Sequence, residues 1–124
     1  MFLTPQEYFA TRRLSPRKRF GQHFLAQAST AERIVDAARL SADDVLVEVG
    51  PGLGALTRFL VQRVRHLHLV EIDRNLSDYL AEALGSDRTQ VTIHSQDVLR
   101  FDFRALAERE RQRLVVIGNL PYNI

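Results

Sequence analysis

A run of β-branched residues that ends directly in glycines constrains the fold of this chain more than any other feature. Val45–Val49 consists of three valines, a leucine and a glutamate, and Gly50-Pro51-Gly52-Leu53-Gly54 follows it. Apolar residues then recur at helical spacing over residues 53–64. This order of strand, glycine-rich turn and helix predicts one unit of a parallel α/β sheet. The backbone amides of the turn are expected to lie open to a ligand, because glycines lack Cβ atoms.

The same alternation continues along the chain. We predict strands over residues 68–72, 91–94 and 114–117, and helices over residues 76–84 and 104–111. Asn75 is expected to cap the first of these helices and Gly85 to end it. The 114–117 strand is entirely apolar, which is typical of parallel strands that are buried on both faces. The chain is therefore predicted to form an α/β fold of about four parallel strands with right-handed helical crossovers.

Two capping boxes predict helices ahead of the first strand. Thr4-Pro5-Gln6-Glu7 places a proline at the first helical position and predicts a helix that runs to about Arg13. Ser29-Thr30-Ala31-Glu32 predicts the start of a second helix. The segment between them is basic, with five cations in eight positions and no acidic residue: Arg12, Arg13, Arg17, Lys18 and Arg19. This stripe indicates contact with phosphate groups, although a solvated run of charge remains the alternative.

The composition excludes several classes of function. A chain of 124 residues suffices for one domain, and its net charge of +2 does not by itself indicate a nucleic-acid partner. The absence of cysteine excludes disulfides, thiolate nucleophiles and cysteine-ligated zinc, and we predict no metal site. The sequence contains no apolar stretch of signal-peptide or membrane-spanning length. We therefore expect a cytoplasmic protein without a membrane partner.

The glycine turn and the end of the second predicted strand form a candidate cofactor site. Gly50-x-Gly52-x-x-Ala55 fits the loose dinucleotide fingerprint, and Glu71 follows about twenty residues later, where a carboxylate can hold ribose hydroxyls. These residues alone do not distinguish a nicotinamide cofactor from S-adenosylmethionine. Asp97, after the third strand, can accept a hydrogen bond from the adenine amine, but an Asp in this position is more often a helix cap or turn former.

Asn119-Leu120-Pro121-Tyr122 follows the fourth strand and contains groups that can bind and activate the exocyclic amine of a nucleic-acid base. The Asn119 side-chain oxygen and the Leu120 carbonyl can accept the two amine hydrogens, which makes the nitrogen more nucleophilic. Tyr122 can stack on a flipped base, while Pro121 fixes the turn. Methyl transfer then depends on positioning and electrostatics. The alternative is a type I turn with a core tyrosine.

Together, these segments resemble the ribosomal RNA adenine dimethyltransferases, which make N6,N6-dimethyladenine in small-subunit ribosomal RNA and are related to the erythromycin-resistance methyltransferases. Five motifs carry the resemblance: Lys18-Arg19-Phe20-Gly21-Gln22-His23-Phe24-Leu25, Glu48-Val49-Gly50-Pro51-Gly52-Leu53-Gly54, Val70-Glu71-Ile72-Asp73, Gln96-Asp97-Val98-Leu99 and Gly118-Asn119-Leu120-Pro121-Tyr122-Asn123-Ile124. The resemblance begins at about Arg17 and covers roughly the first half of a typical family member.

The resemblance implies a Rossmann-like fold that uses S-adenosylmethionine to dimethylate two adjacent adenines in a hairpin loop of 16S-type ribosomal RNA, as a step in ribosome biogenesis. His23 and Leu25 would line the methionine end of the cofactor, and Gly50 would contact its carboxyl-terminal portion. Glu71 would bind the ribose and Asp97 the adenine. The implied catalytic residues are Asn119, Leu120, Pro121 and Tyr122, of which Asn119 would also contact the cofactor. The family more often has Asn at the position of His23.

The resemblance also implies how the chain is organised. Residues 1–16 are expected to form a helical and basic extension, and residues 17–124 part of a methyltransferase catalytic domain. Further strands and a C-terminal helical RNA-binding domain are expected to be absent. The implied partner is small-subunit ribosomal RNA in the pre-30S particle, bound by a full-length protein that is a monomer.

Two other readings compete with the enzyme. One is an RNA-binding ribosome-assembly or transcription factor that retains the fold without catalysis, against which the intact Asn119–Tyr122 turn argues. The other is a nicotinamide-dependent oxidoreductase, which leaves that turn unexplained. His66, His68 and His94 are interpreted as structural or solvent-exposed.

Overall fold

The computed structural model describes residues 1–12 and 28–118. The helices and strands in chain order are α1 (Pro5–Arg12), α2 (Ala28–Ala37), β1 (Val45–Val49), α3 (Thr57–Leu60), β2 (His66–Glu71), α4 (Arg74–Leu84), β3 (Val91–Ser95), α5 (Phe103–Glu110) and β4 (Leu114–Gly118). Short 3₁₀ segments cover Gly85–Gln90 and Val98–Arg100. Within the described ranges, no helix is long and apolar enough to cross a membrane.

The four strands form one parallel sheet in the order β3-β2-β1-β4. The chain adds β2 and β3 on one side of β1 and then returns to add β4 on the other side. Val49 at the end of β1 pairs with both Val70 and Gly118, and Glu71 pairs with Ser95. All four strands therefore end at one edge, where the change of direction between β1 and β4 favours a ligand crevice.

Helices cover both faces of the sheet. Leu46, Leu67 and Leu69 face a core shared with α1, α2, α3 and α4, whereas Val47 and Val70 face Leu106 of α5. Successive residues of β1 thus contribute to opposite cores, as the two-residue period of a strand requires. The α/β fold class predicted from the sequence is confirmed.

The helix after the glycine turn is shorter than predicted. The sequence pattern covers residues 53–64, but the α-helix comprises only Thr57–Leu60 and is flanked by turns. Gly54 has a φ of +84° and its N–H bonds to the Pro51 carbonyl in a turn, so helical geometry cannot extend through it. A Cβ on Gly54 would lie 2.5 Å from the Phe2 ring, which makes glycine necessary there.

The start of α4 and the burial of β4 also differ from prediction. Asp73, rather than Asn75, caps α4 by accepting hydrogen bonds from the N–H groups of Asn75 and Leu76. The reason is that β2 ends at Glu71 and leaves Asp73 extended, as an N-cap residue should be. β4 is an edge strand of this sheet, and Val116 is 53% exposed.

The N-terminal residues pack against α4. The amino group of Met1 donates a hydrogen bond to the Ala83 carbonyl at 2.9 Å, and the Leu3 N–H donates to the Tyr79 hydroxyl at 2.6 Å. Tyr8 is buried and meets Tyr79 edge to face. These contacts attach residues 1–12 to the sheet domain, while the proposed boundary at residue 16 falls outside the described residues.

Glu48 is a carboxyl group inside the main core. Its side chain is 1% exposed, and Oε1 accepts a hydrogen bond from the Thr57 hydroxyl at 2.6 Å, which ties β1 to α3. Burial raises the pKa of Glu48 from 4.5 to about 7, the Thr57 hydrogen bond opposes the rise, and the nearby Glu71 carboxylate adds to it. Between pH 4.5 and about 7, the folded state therefore retains a proton on Glu48 that the unfolded chain has already lost.

We predict that Glu48→Gln stabilises the protein at pH 8 relative to wild type but has a smaller effect at pH 4. Because the folded pKa is raised, the free energy of unfolding of the wild type falls as pH rises from 4.5 through about 7. The neutral amide removes this dependence, which is on the order of 3 kcal/mol for a shift of this size.

Urea denaturation of both proteins at the two pH values measures the difference. Glu32→Gln makes the same chemical change on the exposed surface of α2 and serves as the matched control. A stability difference between Glu48→Gln and wild type that does not grow with pH would contradict the prediction.

Candidate functional site

The turn after β1 uses glycine where the backbone requires it. Gly50, Gly52 and Gly54 have φ values of +66°, +58° and +84°, in the left-handed region that other residues rarely adopt. The Gly50 N–H donates to the Val70 carbonyl at 2.9 Å, which fixes the start of the turn against β2. The turn thus passes over the carboxyl end of the sheet as a defined loop.

Glu71 at the end of β2 holds this loop. One of its oxygens, Oε1, accepts a hydrogen bond from the Gly52 N–H at 3.1 Å, and Oε2 accepts one from the Asp73 N–H at 2.9 Å. The side chain is 5% exposed, and burial raises its pKa while the two backbone donors oppose that rise. A carboxylate has about four acceptor sites, so two remain for hydroxyl donors of a ligand.

Asp97 lies at the same edge, two residues beyond β3. Its Oδ1 accepts a hydrogen bond from the Leu99 N–H at 3.0 Å and caps the 3₁₀ segment that follows. The preceding residue, Gln96, donates its N–H to the Glu71 carbonyl at 3.1 Å. Asp97 therefore acts as a cap, the commoner role that its sequence position indicated, and its half-buried carboxylate retains acceptor sites for a ligand.

Two apolar side chains lie at this edge that the sequence did not indicate as part of the site. Ile72, next to Glu71, is 43% exposed, and Leu99, two residues after Asp97, is 78% exposed. Both stand beside a carboxylate at a strand end, and this adjacency is the signal that could have identified them. A site with apolar surface between hydrogen-bond acceptors suits a ligand that has a flat ring and hydroxyl groups.

Several predicted site residues lie outside the described residues. These are His23, Leu25, Asn119, Leu120, Pro121 and Tyr122, together with most of the basic segment. Gly118 is the last described residue, and it pairs with Val49, the residue before the glycine turn. The structure thus brings together Gly50, Glu71 and Asp97 of the predicted set.

This arrangement can bind a ligand but contains no catalytic group among the described residues that form it. The Glu71 and Asp97 carboxylates lie at one edge beside the glycine loop, whose Gly50, Gly52 and Gly54 N–H groups already donate hydrogen bonds within the protein. The geometry alone fits either of the two adenosine cofactors that the sequence left open.

Comparison with known proteins identifies the family to which the chain belongs. The model of the ribosomal RNA adenine dimethylase family matches residues 13–124. The ribosomal RNA small subunit methyltransferase A of Chromobacterium violaceum is 49% identical over 109 residues, which are 88% of this chain and 40% of that protein. The protein of the same name from Alcanivorax borkumensis is 50% identical over 87% of this chain and 38% of its own length.

Solved structures agree with the fold. The 23S rRNA methyltransferase ErmE has a TM-score of 0.69 and 30% identity, over 82% of this chain and 39% of its own. A dimethyladenosine transferase from Plasmodium falciparum has a TM-score of 0.70 and 21% identity, over 82% of this chain and 35% of its own. The chain thus spans about two fifths of the length of its curated relatives. Because the family model covers most of its residues and the relatives are close to half identical, the chain belongs to the ribosomal RNA adenine dimethylase family.

Proposed function

We propose that the protein containing this chain transfers methyl groups from S-adenosylmethionine to the N6 amines of two adjacent adenines in a small-subunit ribosomal RNA hairpin loop. The observation that carries this proposal is the hydrogen bond from the Gly52 N–H to Glu71, which joins the glycine loop at the switch point of the sheet to the carboxylate at the end of β2 that we propose binds the ribose. Membership of the family supports the choice of reaction.

The described residues would hold the adenosine half of the cofactor. Glu71 uses its remaining acceptor sites for the ribose hydroxyls, and Asp97 accepts from the adenine amine. Ile72 and Leu99 offer apolar surface to the adenine ring. Gly50 has no side chain to block the carboxyl-terminal portion of the cofactor, and the resemblance to the family assigns His23 and Leu25 to its methionine end.

The base is activated by the turn that follows β4. The side-chain oxygen of Asn119 and the carbonyl of Leu120 accept the two amine hydrogens, so the nitrogen becomes tetrahedral and its lone pair turns toward the methyl group. Tyr122 stacks on the flipped adenine, and Pro121 fixes the turn. Bound S-adenosylmethionine would supply the electrophilic methyl group, and the amine that accepts it would give up one proton.

RNA is proposed to enter from the side of the basic segment. The five cations between residues 12 and 19 supply phosphate contacts that carry no sequence information, which leaves recognition to the shape of the RNA and to the flipped base. The proposed partner is the pre-30S particle, the proposed location the cytoplasm, and the proposed state of the full-length protein a monomer.

We predict that Glu71→Ala weakens binding of S-adenosylmethionine by about 1.5–3 kcal/mol, the range for a hydrogen bond to a charged group. The variant loses the ribose acceptor and also leaves the Gly52 N–H without its partner. Isothermal titration calorimetry of the full-length protein measures the change. Asp78→Ala, on the exposed face of α4, is the matched control, and equal affinity of the Glu71 and Asp78 variants would exclude the proposed role.

Replacing Arg17 and Arg19 by Gln is predicted to lower RNA affinity and to flatten its salt dependence. Each lost phosphate contact should reduce the slope of log K against log salt by about one unit at most. Filter binding between low and high salt measures the slope, with Arg33→Gln and Arg39→Gln in α2 and just after it as a control of equal charge. A slope identical to that of the control would favour a solvated run of charge.

Asn119→Ala is predicted to reduce methyl transfer on the order of a hundredfold or more, by analogy with the removal of one oxyanion-hole donor. RNA affinity should change much less, because the Asn119 contact strengthens as the amine becomes tetrahedral. Single-turnover methylation by the full-length protein with saturating cofactor separates the two quantities. Transfer at the parental rate would remove the catalytic role of the turn and support an assembly factor instead.

A further inference from the structure

Three histidines and a glutamate that are distant in sequence form a cluster on the face of the sheet that α5 covers. His66 and His68 lie on β2, His94 lies on β3, and Glu110 is the last residue of α5. His66 Nδ1 is 3.1 Å and His68 Nε2 is 3.5 Å from the same oxygen, Glu110 Oε2. The sequence alone gave no reason to connect these residues, since 42 positions separate His68 from Glu110.

We propose that His66, His68 and Glu110 form a Zn²⁺ site, with His66 Nδ1, His68 Nε2 and Glu110 Oε2 as the three protein ligands. Two imidazoles and one carboxylate are ligands that zinc prefers, and a water molecule would complete the tetrahedron. The site is independent of the proposed function, and it departs from the sequence-based expectation that the chain contains no metal site.

The separations between the ligand atoms suit a tetrahedral ion. Zinc bonds of about 2.0–2.1 Å place neighbouring ligand atoms about 3.3 Å apart. Two of the separations, 3.1 and 3.5 Å, are already close to this value, and all three ligand atoms lie within 4.8 Å of one another. The two rings stack with centroids 4.0 Å apart, so a tilt about χ2, a soft torsion in histidine, brings both nitrogens to the ion.

In each ligand histidine, the outer ring nitrogen, which faces away from Glu110, has a partner that can accept a hydrogen bond from it. His66 Nε2 lies 2.8 Å from the Thr92 hydroxyl, and His68 Nδ1 lies 3.0 Å from His94 Nε2. When both outer nitrogens donate, the inner nitrogens present lone pairs toward Glu110, which is the tautomer that metal binding requires. In the alternative tautomers, His66 Nδ1 and His68 Nε2 each carry a proton that points toward Glu110. A bound ion would take the place of these two protons.

The charges at the cluster also suit a cation. Glu110 stands at the carboxyl end of α5, where the helix dipole favours positive charge. Arg65 lies 3.7 Å from the other carboxylate oxygen, Oε1, which leaves Oε2 for the ion.

The position of the cluster indicates a structural role for the ion. His66 is the first residue of β2 and Glu71 the last, so about 16 Å of strand separates His66, and about 10 Å separates His68, from Glu71 of the candidate cofactor site. An ion shared by β2 and Glu110 would hold the end of α5 against the sheet. Its binding should therefore raise the stability of the folded state.

The test uses full-length protein without an affinity tag, cleared of metal with EDTA and titrated with Zn²⁺ against a chromophoric chelator. We expect one ion per chain at this site, and visible absorption bands of a tetrahedral site when Co²⁺ replaces Zn²⁺. His66→Gln and Glu110→Gln should weaken binding at least tenfold, and Thr92→Val, which removes an outer partner, by about tenfold. Zn²⁺ should raise the melting temperature of the wild type but not that of Glu110→Gln.

Glu108→Gln is the matched control, because it makes the same change on the exposed surface of α5. It should bind Zn²⁺ with wild-type affinity and show the same rise in melting temperature. Failure of the wild type to retain an ion against the chelator would overturn the proposal without any variant. Binding that survives in both His66→Gln and Glu110→Gln would also overturn it, since the ion would then be held elsewhere.

Discussion

The two hydrogen bonds that Glu71 accepts are the interaction on which the candidate cofactor site depends. One comes from the glycine loop and the other from the residue that caps α4, so a single buried carboxylate joins three segments at the carboxyl end of β2. Burial alone would favour the neutral acid, and the two backbone donors are what favour the charged form. A ligand hydroxyl that reaches the remaining acceptor sites therefore meets a group already held in place, and little ordering is needed on binding.

The core beneath the site contains a second carboxyl group, Glu48, which bonds to Thr57 across the interface of β1 and α3. Burial raises the pKa of Glu48 and the nearby Glu71 carboxylate adds to the rise, so the two groups resist ionising together. Glu48 retains its proton most readily, because it is the more completely buried of the two. The hydrogen bond between Glu48 and Thr57 thus supports the glycine loop from the core. The Phe2 ring supports it from the other side, because it occupies the space beside Gly54. Residues 1–12 therefore contribute to the shape of the loop although they precede the part of the chain that the family model matches.

The carboxyl ends of the strands and the face of the sheet under α5 carry different functional groups. Carboxylates and glycine amides collect at the carboxyl ends of the strands, while the histidine cluster lies toward the amino end of β2 under α5. The alternation of side chains along β2 explains the division, because Leu67 and Leu69 enter the main core while His66 and His68 face α5. A binding site and a stabilising site can therefore share one strand without sharing a face.

The sequence by itself determined the α/β alternation, the glycine turn and the carboxylates at the end of β2 and after β3. These features depend on the local hydrophobic period and on where each strand ends. It also determined the family, through motifs that are contiguous in the chain. The length of α3, the cap of α4 at Asp73 and the exposure of Val116 were decided by the tertiary structure. The first depends on the backbone angle of Gly54 and the last on strand order, neither of which periodicity encodes. The pairing of Glu48 with Thr57, and of Glu110 with His66 and His68, also belongs to the tertiary structure, because only the packing of helices on the sheet brings these side chains within hydrogen-bonding distance.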